Sequence, residues 1–562
     1  MPYFIKETRK KKDLYYQIYE SHYDRDKGYS VHSSHRVLGY LSDLRRQGIS
    51  DPREHFREEV NALNLAEKEK RRSERFATIR DRTLRRRAGY FPAKAVLGKL
   101  GVRGDLELLA SASGFRFDLY DMLCALVFCR LLEPCSKKAS LERVMPQLFA
   151  PYGFSYGQVL EACGFLGGHY AKVVDMFARA TRKIYGIDAD RVYFDCTNFY
   201  FEIDREDCLR RKGKSKEGRH DPIVGLGLLL DAHMVPVHMS LYPGNESEKP
   251  CIRKAVEELK ALTGTQGRTI QVADKGLNCA RNIHAALGHE DGYIFSKSVK
   301  VLEEKEKTWV FSGPASDWKR SPGGGFLYKE CVDSFRYSFY DDAGAKVEFS
   351  VREKRVVTLN PSLRAKQRAE IDRLVEKARS NTLSRAKRGE FGESARFVRF
   401  VSRDGKEASA IPVLDQDAVD EAYRYCGLNM LVSSETGLPA VDIHKVYRNL
   451  WRIEETFRAM KTGLEARPVF LQKEDAIKGH FLICYLSILV LRLIQFKELG
   501  DRFGTDEILD FMRNFIVVED PARKEYTNIG RYGRLYDTYS EKYGVMLHLF
   551  KLKRRDLETL GL

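Results

Sequence analysis

The chain has 562 residues, several times the length of a typical domain, which predicts two to four folded units. Hydrophobic residues make up 43% and charged residues 31% of it, a balance that excludes a largely disordered protein. The formal net charge of +17 favours a polyanionic partner, because binding to phosphates releases counterions. From charge alone, a merely basic soluble protein is equally compatible.

Basic residues are concentrated at the N-terminal end. Residues 1–105 contain 25 Lys and Arg against 15 Asp and Glu, a net charge of +10. This asymmetry predicts a dedicated DNA-contacting region rather than an evenly charged surface. Within a predicted polar helix over 52–88, the expected DNA-binding residues are Arg71, Arg72, Arg85, Arg86 and Arg87. The alternative is that these arginines form an ordinary solvated helix face.

Eleven cysteines are scattered without CxxC pairs or zinc-ligand spacing, which indicates reduced thiols in a cytoplasmic protein. The N-terminus lacks the long apolar core of a signal peptide. The most apolar stretch, 481–491, is too short to span a bilayer as a helix, so we predict a buried helix and no membrane association.

In chain order, aromatic and polar residues alternate over 3–41 around a turn at 24–28, which predicts a small β-hairpin module. Amphipathic helices follow, for example Leu119 to Leu132 and Ala171 to Tyr185. The pattern then changes to short apolar runs typical of strands.

These runs predict a mixed sheet. The segment 191–195 is an apolar strand that ends on Asp195, and 224–230 and 233–241 are two further strands. A helix over 248–262 leads to a fourth strand that ends on Asp274. Three strands, a crossover helix and another strand predict an α/β fold.

The less regular region from 291 to 425 is interpreted as an inserted subdomain. It mixes candidate strands at 308–311 and 347–351 with a charged helix near 364–379. A long helix over 443–462 and the apolar helix around 476–495 follow, and the last 60 residues are predicted to be helical and basic.

Carboxylates that end apolar strands are suited to metal-dependent phosphodiester chemistry. Two-metal catalysis needs acidic oxygens that converge from separate elements, and a sheet fixes the positions of such side chains. Taken singly, Asp195 and Asp274 are more often turn or cap residues, so each is weak evidence alone.

The helix over 443–462 strengthens this interpretation. Tyr447, Glu454 and Lys461 recur at seven-residue spacing, which places them on one face of a continuous helix. There Glu454 could bind metal while Tyr447 and Lys461 hold phosphates. A charged surface helix with ordinary i,i+4 ion pairs is the alternative from spacing alone.

The segment resembles the signature of bacterial transposases of the insertion sequence four superfamily. Their pattern is Tyr, two residues, Arg, three residues, Glu, six residues and Lys, which Tyr447, Glu454 and Lys461 match. Leu450 stands at the Arg position, and Arg448 or Arg452 is the expected compensating residue. The segments that begin at Asp195 and Asp274 resemble the family's two aspartate motifs.

The resemblance implies an RNase H-like core, a mixed sheet flanked by helices, interrupted by a β-rich insertion. The expected regions are 1–105 (DNA-binding), 106–190 (helical), 191–290 (first part of the core), 291–432 (insertion), 433–500 (second part of the core, with the catalytic helix) and 501–562 (C-terminal, helical). Asp195, Asp274 and Glu454 are then the catalytic residues and the ligands of Mg²⁺, with Mn²⁺ as a substitute. Further DNA contacts are expected from Tyr447, Lys461, Arg448, Arg452, Arg458 and Lys275.

The implied function is that of a transposase that cuts double-stranded DNA at the terminal inverted repeats of its element and joins the ends to target DNA. A homodimer in a synaptic complex and a nucleoid-associated location in a bacterial cytoplasm are expected. A hairpin intermediate stays open. The alternatives are a plain metal-dependent nuclease on the same fold, which cuts without joining, and a DNA-binding relative that has lost activity.

Overall fold

The computed structural model describes residues 3–10, 13–24, 29–75, 85–216, 218, 220–263, 267–383, 390–401, 411–520 and 525–562. The strands within these ranges are β1 Tyr3–Lys10, β2 Asp13–Asp24, β3 Tyr29–Tyr40, β4 Arg85–Arg87, β5 Arg191–Tyr200, β6 Ile223–Leu230, β7 Pro236–Pro243, β8 Ile270–Ala273, β9 Gly292–Lys297, β10 Lys319–Arg320, β11 Leu327–Tyr340, β12 Lys346–Leu359, β13 Val398–Val401, β14 Ile411–Leu414, β15 Leu428–Ser433, β16 Ile516–Asp520, β17 Glu525–Asn528 and β18 Lys551–Lys553.

The α-helices within the same ranges are α1 Leu41–Arg46, α2 Pro52–His55, α3 Arg57–Arg75, α4 Phe91–Leu100, α5 Arg103–Ala110, α6 Leu119–Leu132, α7 Lys137–Ala139, α8 Tyr156–Gly168, α9 Tyr170–Tyr185, α10 Cys251–Thr263, α11 Ala280–Gly288, α12 Glu304–Phe311, α13 Pro361–Leu383, α14 Gln416–Arg424, α15 Ala440–Arg448, α16 Trp451–Arg458, α17 Glu474–Arg492, α18 Thr505–Asn514, α19 Arg534–Tyr543 and α20 Arg554–Thr559. Turns of π-helix extend α7, α16 and α17.

The chain divides into two compact units, of which the first comprises Met1–Arg86, Ile516–Gly530 and Tyr539–Thr559. Its N-terminal part is an antiparallel sheet in the order β1-β2-β3. The polar helix predicted over 52–88 is wrong at its end, because Arg85–Arg87 is a strand. Residues 76–84 lie outside the described part of the chain, as do residues 25–28 of the predicted turn.

The C-terminal region differs from the expectation of helices alone. Strands β16 and β17 follow α18, and β18 lies between α19 and α20. Strand β17 pairs antiparallel with both of the other strands. These strands are three to five residues long, too short to leave a clear alternation in the sequence.

The second unit comprises Arg87–Phe515, Arg531–Thr538 and Leu560–Leu562. In the described residues its main sheet has nine strands in the order β10-β11-β12-β15-β9-β8-β5-β6-β7. Strands β5, β8 and β9 are parallel, and their neighbours on either side pair antiparallel. The predicted order of three strands, a helix and a fourth strand is confirmed, and the fold is a mixed α/β architecture.

The central strand β5 extends further than predicted. It continues to Tyr200, so Asp195 lies in the middle of the strand and not at its end. Val192, Phe194 and Cys196 belong to the hydrophobic core on one face of the sheet, together with α10 and α11. Because side chains alternate along a strand, Asp195 points to the opposite face. There Phe199 of the same strand packs against Phe481 of α17, with ring centroids 4.9 Å apart.

The region expected to be an insertion, 291–432, contributes strands to the main sheet. Strand β9 lies beside β8, while β12 pairs with β15 and carries β11 and β10 outward. Only β13 and β14 form a separate two-stranded sheet among the described residues. The strand predicted at 308–311 is wrong, because these residues end helix α12, which a Glu303–Glu306 capping box starts.

Helix α17 is the centre of the helical layer. The segment Glu474–Glu498 is the one described helix whose length and composition are sufficient to cross a membrane, but 94% of its most apolar window is buried inside the protein. The prediction of a buried helix at 481–491 is confirmed. It packs against α6 and α8, and its crossing with α8 depends on two glycines.

We predict that a methyl group at the α8–α17 crossing destabilises the protein. A Cβ at Gly479 would lie 2.0 Å from the carbonyl oxygen of Cys163, and a Cβ at Gly167 would lie 1.7 Å from that of Asp475. Gly479→Ala therefore forces the helices apart, and we expect a loss of about 1–3 kcal/mol in unfolding free energy. The midpoint of denaturant unfolding measures it.

Gly164→Ala is the matched control on the same helix. No atom lies within 4 Å of a Cβ at this position, so the substitution is expected to stabilise helix α8 by about 0.5–1 kcal/mol. A Gly479→Ala variant as stable as the Gly164→Ala variant would contradict the close crossing.

Candidate active site

Asp195 and Asp274 are neighbours across two parallel strands. Phe194 of β5 is in register with Ala273, the last residue of β8, so the two aspartates occupy the next position on each strand. Adjacent strands are about 4.8 Å apart, and the two side chains extend from the same face of the sheet. The structure thus brings together two carboxylates that are 79 residues apart in the sequence.

The carboxylate of Asp195 lies in a mostly buried setting, with its side chain 22% exposed. Its Oδ1 accepts a hydrogen bond of 2.7 Å from the backbone N–H of Cys196. Burial raises the pKa of Asp195 to about 6, against the opposing effect of the Lys216 ammonium, while Glu248 and Asp274 add to the increase. A negative charge at this position is therefore incompletely compensated by the protein.

Asp274 is held by hydroxyl groups. Ser296 Oγ and the Tyr447 hydroxyl donate to the same oxygen, Oδ1, at 2.8 and 2.9 Å. Among the described residues no hydrogen bond reaches Oδ2 of Asp274, which leaves this oxygen for another ligand. Tyr447 therefore orients a candidate metal ligand in this structure.

The predicted single helix over 443–462 is divided. Helix α15 ends at Arg448, α16 begins at Trp451, and a π-helical turn occupies Ala459–Gly463. The seven-residue spacing of Tyr447, Glu454 and Lys461 therefore does not describe one straight helix face. Helix α16, which carries Glu454, is still close to β5, which carries Asp195, because the two elements pack together. Burial raises the pKa of Tyr447, and the charges of Asp274 and Glu454 add to the increase.

Two adjacent glutamates on α16 have different environments. Glu455 accepts from Thr505 Oγ1 at 3.2 Å and lies 3.4 Å from Nη1 of the fully buried Arg492, so it belongs to the core. Glu454 is exposed and has no ion pair with any residue that the structure describes. Of the two, Glu454 is the carboxylate available to a ligand.

Leu450, at the position of the motif arginine, is buried, with an exposed fraction of 6%. A phosphate contact from that position is therefore absent. Arg452 is engaged with Glu455 and, at 2.9 Å, with Asp501, which disfavours it as a replacement. The ammonium of Lys461 lies over the Phe199 ring at 5.4 Å.

The other residues predicted to contact DNA are dispersed. Arg448, Arg458 and Lys275 are all exposed. Arg85 is also exposed, while Arg86 lies 3.5 Å from Glu519.

Arg87 is buried against Glu133 and Gln147. Because Arg87 is buried and bonded within the protein, it stabilises the fold and is not accessible to DNA. The backbones of Arg71 and Arg72 lie in α3, but their side chains are outside the described residues.

Two charged residues beside Asp195 were not predicted as site residues. Lys216 Nζ lies 3.8 Å from Asp195 Oδ1 and 3.5 Å from Glu248 Oε2, and it also donates to the carbonyl oxygen of Cys196. Glu248 reaches the turn after Asp274, since a Cβ on Gly276 would lie 2.8 Å from its Oε1. The basic run at 212–216 was a local signal for Lys216, but its contact with Glu248 was not visible in the sequence.

The donor chemistry of the aspartate pair fits a hard divalent cation, because carboxylate oxygens are the ligands that Mg²⁺ and Mn²⁺ prefer. Across the described residues, however, no three His, Cys, Asp or Glu side chains lie close enough together to hold a metal ion. The structure therefore brings Asp195 and Asp274 together but does not add Glu454 as a third ligand.

Comparison with known proteins identifies the family. The profile of the family described as "Transposase DDE domain" matches residues 208–490, half of the chain. The chain belongs to this family. It is accordingly a DNA transposase, and the match includes Asp274 and Glu454, while Asp195 lies before its first residue.

No curated protein matches the sequence of this transposase. Among solved structures, the cryo-EM structure of the piggyBac transposase synaptic complex with hairpin DNA is similar at 8% identity and a TM-score of 0.36, over 76% of this chain and 78% of that chain. A likeness at this level does not establish a shared fold, and the family match alone identifies the function.

We predict that Asp195→Asn stabilises the protein at neutral pH and not in acid. A carboxyl whose pKa is raised by folding favours the folded state while protonated, and it loses this advantage as the pH increases through about 6. The permanently neutral asparagine avoids the loss. We expect a gain on the order of 2 kcal/mol above pH 6 that declines to zero near pH 4.

Unfolding curves across this pH range measure the effect in the absence of divalent metals. Asp190→Asn, at an exposed position just before β5, is the control and is expected to change stability little at any pH. A gain in the Asp195 variant that does not vary with pH would contradict the burial of its charge.

Proposed function

We propose that this transposase cuts DNA at the ends of its element and joins them to a target, using Asp195, Asp274 and Glu454 in one metal-dependent site. The observation that carries the proposal is the register of β5 and β8, which places two carboxylates side by side on one face of the sheet. Within the DDE family, we assign the chain to the insertion sequence four superfamily on the basis of Tyr447, Glu454 and Lys461. We infer that β7-β6-β5-β8-β9 is its RNase H-like core.

Asp195 and the free oxygen of Asp274 would hold Mg²⁺ or Mn²⁺, and Glu454 would join them after a shift of α16. When bound, the metal supplies activation of the attacking hydroxyl and stabilisation of the leaving oxygen. The protein's own contribution is positional: the sheet fixes the aspartates, and Ser296 and Tyr447 orient Asp274. The break at 449–450 separates α16, which carries Glu454, from α15, and a π-helical turn follows α16. Helix α16 could therefore move without α15.

The same proposal assigns DNA binding to the basic N-terminal region. Lys6, Arg9 and Lys10 on β1 are exposed, and so is Arg85 on β4. These side chains suit sequence-independent contact with phosphates. Two copies of the chain would hold the two element ends in one synaptic complex.

We predict that Asp195→Asn, Asp274→Asn and Glu454→Gln each lower Mg²⁺-dependent cleavage at least about a hundredfold, because each removes a charge from the metal site. Binding of the same DNA in EDTA is expected to be unchanged. The assay uses a labelled duplex that carries the sequence flanking the reading frame, together with a supercoiled target plasmid. Joined products distinguish a transposase that completes strand transfer from a plain nuclease.

Glu455→Gln is the matched control for Glu454→Gln. It leaves Arg492 without a charged partner in the core, so we expect a loss of about 1–3 kcal/mol in stability together with residual cleavage. Glu454→Gln is expected to leave the melting temperature unchanged, because its side chain is exposed. Full cleavage by the Glu454 variant would remove this residue from the site.

A further inference from the structure

A second basic site lies in a cavity of about 340 Å³ behind the loop that follows the candidate catalytic helix. Its charged lining residues are Arg130 at the end of α6 and Lys137 and Lys138 near α7. Arg130 and Lys137 are more than nine-tenths buried. No Asp or Glu is among the described residues that line this cavity.

The two buried cations have different roles. The guanidinium of Arg130 donates to the backbone carbonyls of Leu464, Glu465 and Cys135 at 3.2–3.3 Å, so it fixes the loop. The ammonium of Lys137 has a single hydrogen bond to a described residue, at 3.4 Å to His480 Nδ1. Two of its three N–H donors are left for a ligand in the cavity.

The protonation of His480 is settled by its second contact. Its Nε2 lies 2.9 Å from the carbonyl oxygen of Ala466 and must donate to it, so Nδ1 carries the lone pair that accepts from Lys137. Burial and the two cations lower the pKa of His480, which agrees with a neutral ring. Lys137 thus has only a neutral partner among the described residues, and burial and the charge of Arg130 lower its pKa, so its charged form is costly unless an anion completes the site.

Aromatic side chains flank the opening. Phe470 is 70% and Tyr156 is 41% exposed, and both line the cavity. Phe470 belongs to the loop over 464–472, which packs on the end of the strand that carries Asp195, since the guanidinium of Arg467 lies 4.8 Å from the ring of Tyr200. Proteins that bind single nucleic-acid strands combine positive charge with aromatic side chains on which bases stack, and both are present at this cavity.

We propose that this cavity binds a backbone phosphate of the DNA through Lys137, with Phe470 stacking on the adjacent nucleotide. The inference rests on the DNA-transposase function of the chain and is independent of the assignment of the three carboxylates. It adds a DNA contact on a part of the chain, 130–156, that the sequence analysis described only as helical.

Lys137→Met tests the phosphate contact in the full-length protein. Fluorescence anisotropy with a labelled duplex and with its single strand, in EDTA and over a series of KCl concentrations, gives Kd and its salt dependence. We expect Kd to rise about tenfold. The slope of log Kd against log[KCl] is expected to fall by about one, which corresponds to the loss of one phosphate contact. The melting temperature should be equal or higher, because an uncompensated buried charge is removed.

Lys172→Met on the exposed face of α9 is the matched control and removes the same charge outside the cavity. Its Kd and salt slope are expected to equal those of the parent protein. Unchanged DNA binding by Lys137→Met would overturn the proposal. Stabilisation by inorganic phosphate that disappears in Lys137→Met, with unchanged DNA affinity, would assign the cavity to a free anion and overturn it equally.

Phe470→Ala keeps the proposal testable if the Lys137 variant does not fold, because this exposed ring does not support the core. Loss of one stacked base is expected to raise the Kd for single-stranded DNA about fivefold or more. Parent-like affinity of Phe470→Ala would contradict stacking at this site. Asp195→Asn is assayed alongside and is expected to bind DNA normally while it loses cleavage. DNA binding by the cavity variants therefore tests the cavity proposal, and cleavage by Asp195→Asn tests the catalytic one.

Discussion

Two carboxylates on neighbouring strands repel each other, and partial burial increases the repulsion because less water screens it. This repulsion acts between Asp195 and Asp274, although burial raises the pKa of Asp195 more than the repulsion does. The protein offsets it with Lys216 beside Asp195 and with two hydroxyl donors on Asp274. Burial, with smaller contributions from the charges of Glu248 and Asp274, still raises the pKa of Asp195, so the compensation is incomplete. The rest of the site is arranged around this pair.

The surrounding packing makes such an arrangement possible. Hydrophobic side chains on both faces hold β5, and the buried Arg492 connects α17 with Glu455 of α16 and with Thr505. This network anchors α16 through one glutamate while the adjacent Glu454 stays exposed. Arg130 fixes the loop that follows, by donating to the carbonyls of Leu464 and Glu465.

Much of the central architecture could be predicted from the sequence, because it depends on local patterns. Continuous apolar runs ended by turn residues predicted the strands around Asp195 and Asp274, and helix α6 was predicted with its observed bounds. Residues 308–311, of which three are apolar, were misinterpreted as a strand, since a run of that length fits either a strand or a buried helix segment.

Features that depend on long-range contacts could not be predicted. The break between α15 and α16 leaves the heptad spacing of Tyr447 and Glu454 intact in the sequence, although the helix is not continuous. The ion pair of Lys216 with Glu248 joins residues on separate elements. The buried environment of Lys137 likewise arises from His480, which is 343 positions away. Leu450 could be recognised from the sequence as a departure from the motif. Its burial explains why an apolar residue, and not another charged one, occupies the position of the motif arginine.

Iron-directed cleavage of the protein backbone tests the central claim most directly. Fe²⁺ is bound in place of Mg²⁺ in the presence of DNA, radicals are generated at the bound ion, and the fragments are identified by mass spectrometry. The proposed site of three carboxylates predicts cuts next to Asp195, Asp274 and Glu454 that excess Mg²⁺ suppresses. Cuts confined to other segments, or cuts at the two aspartates that never extend to α16, would contradict a shared site of three carboxylates.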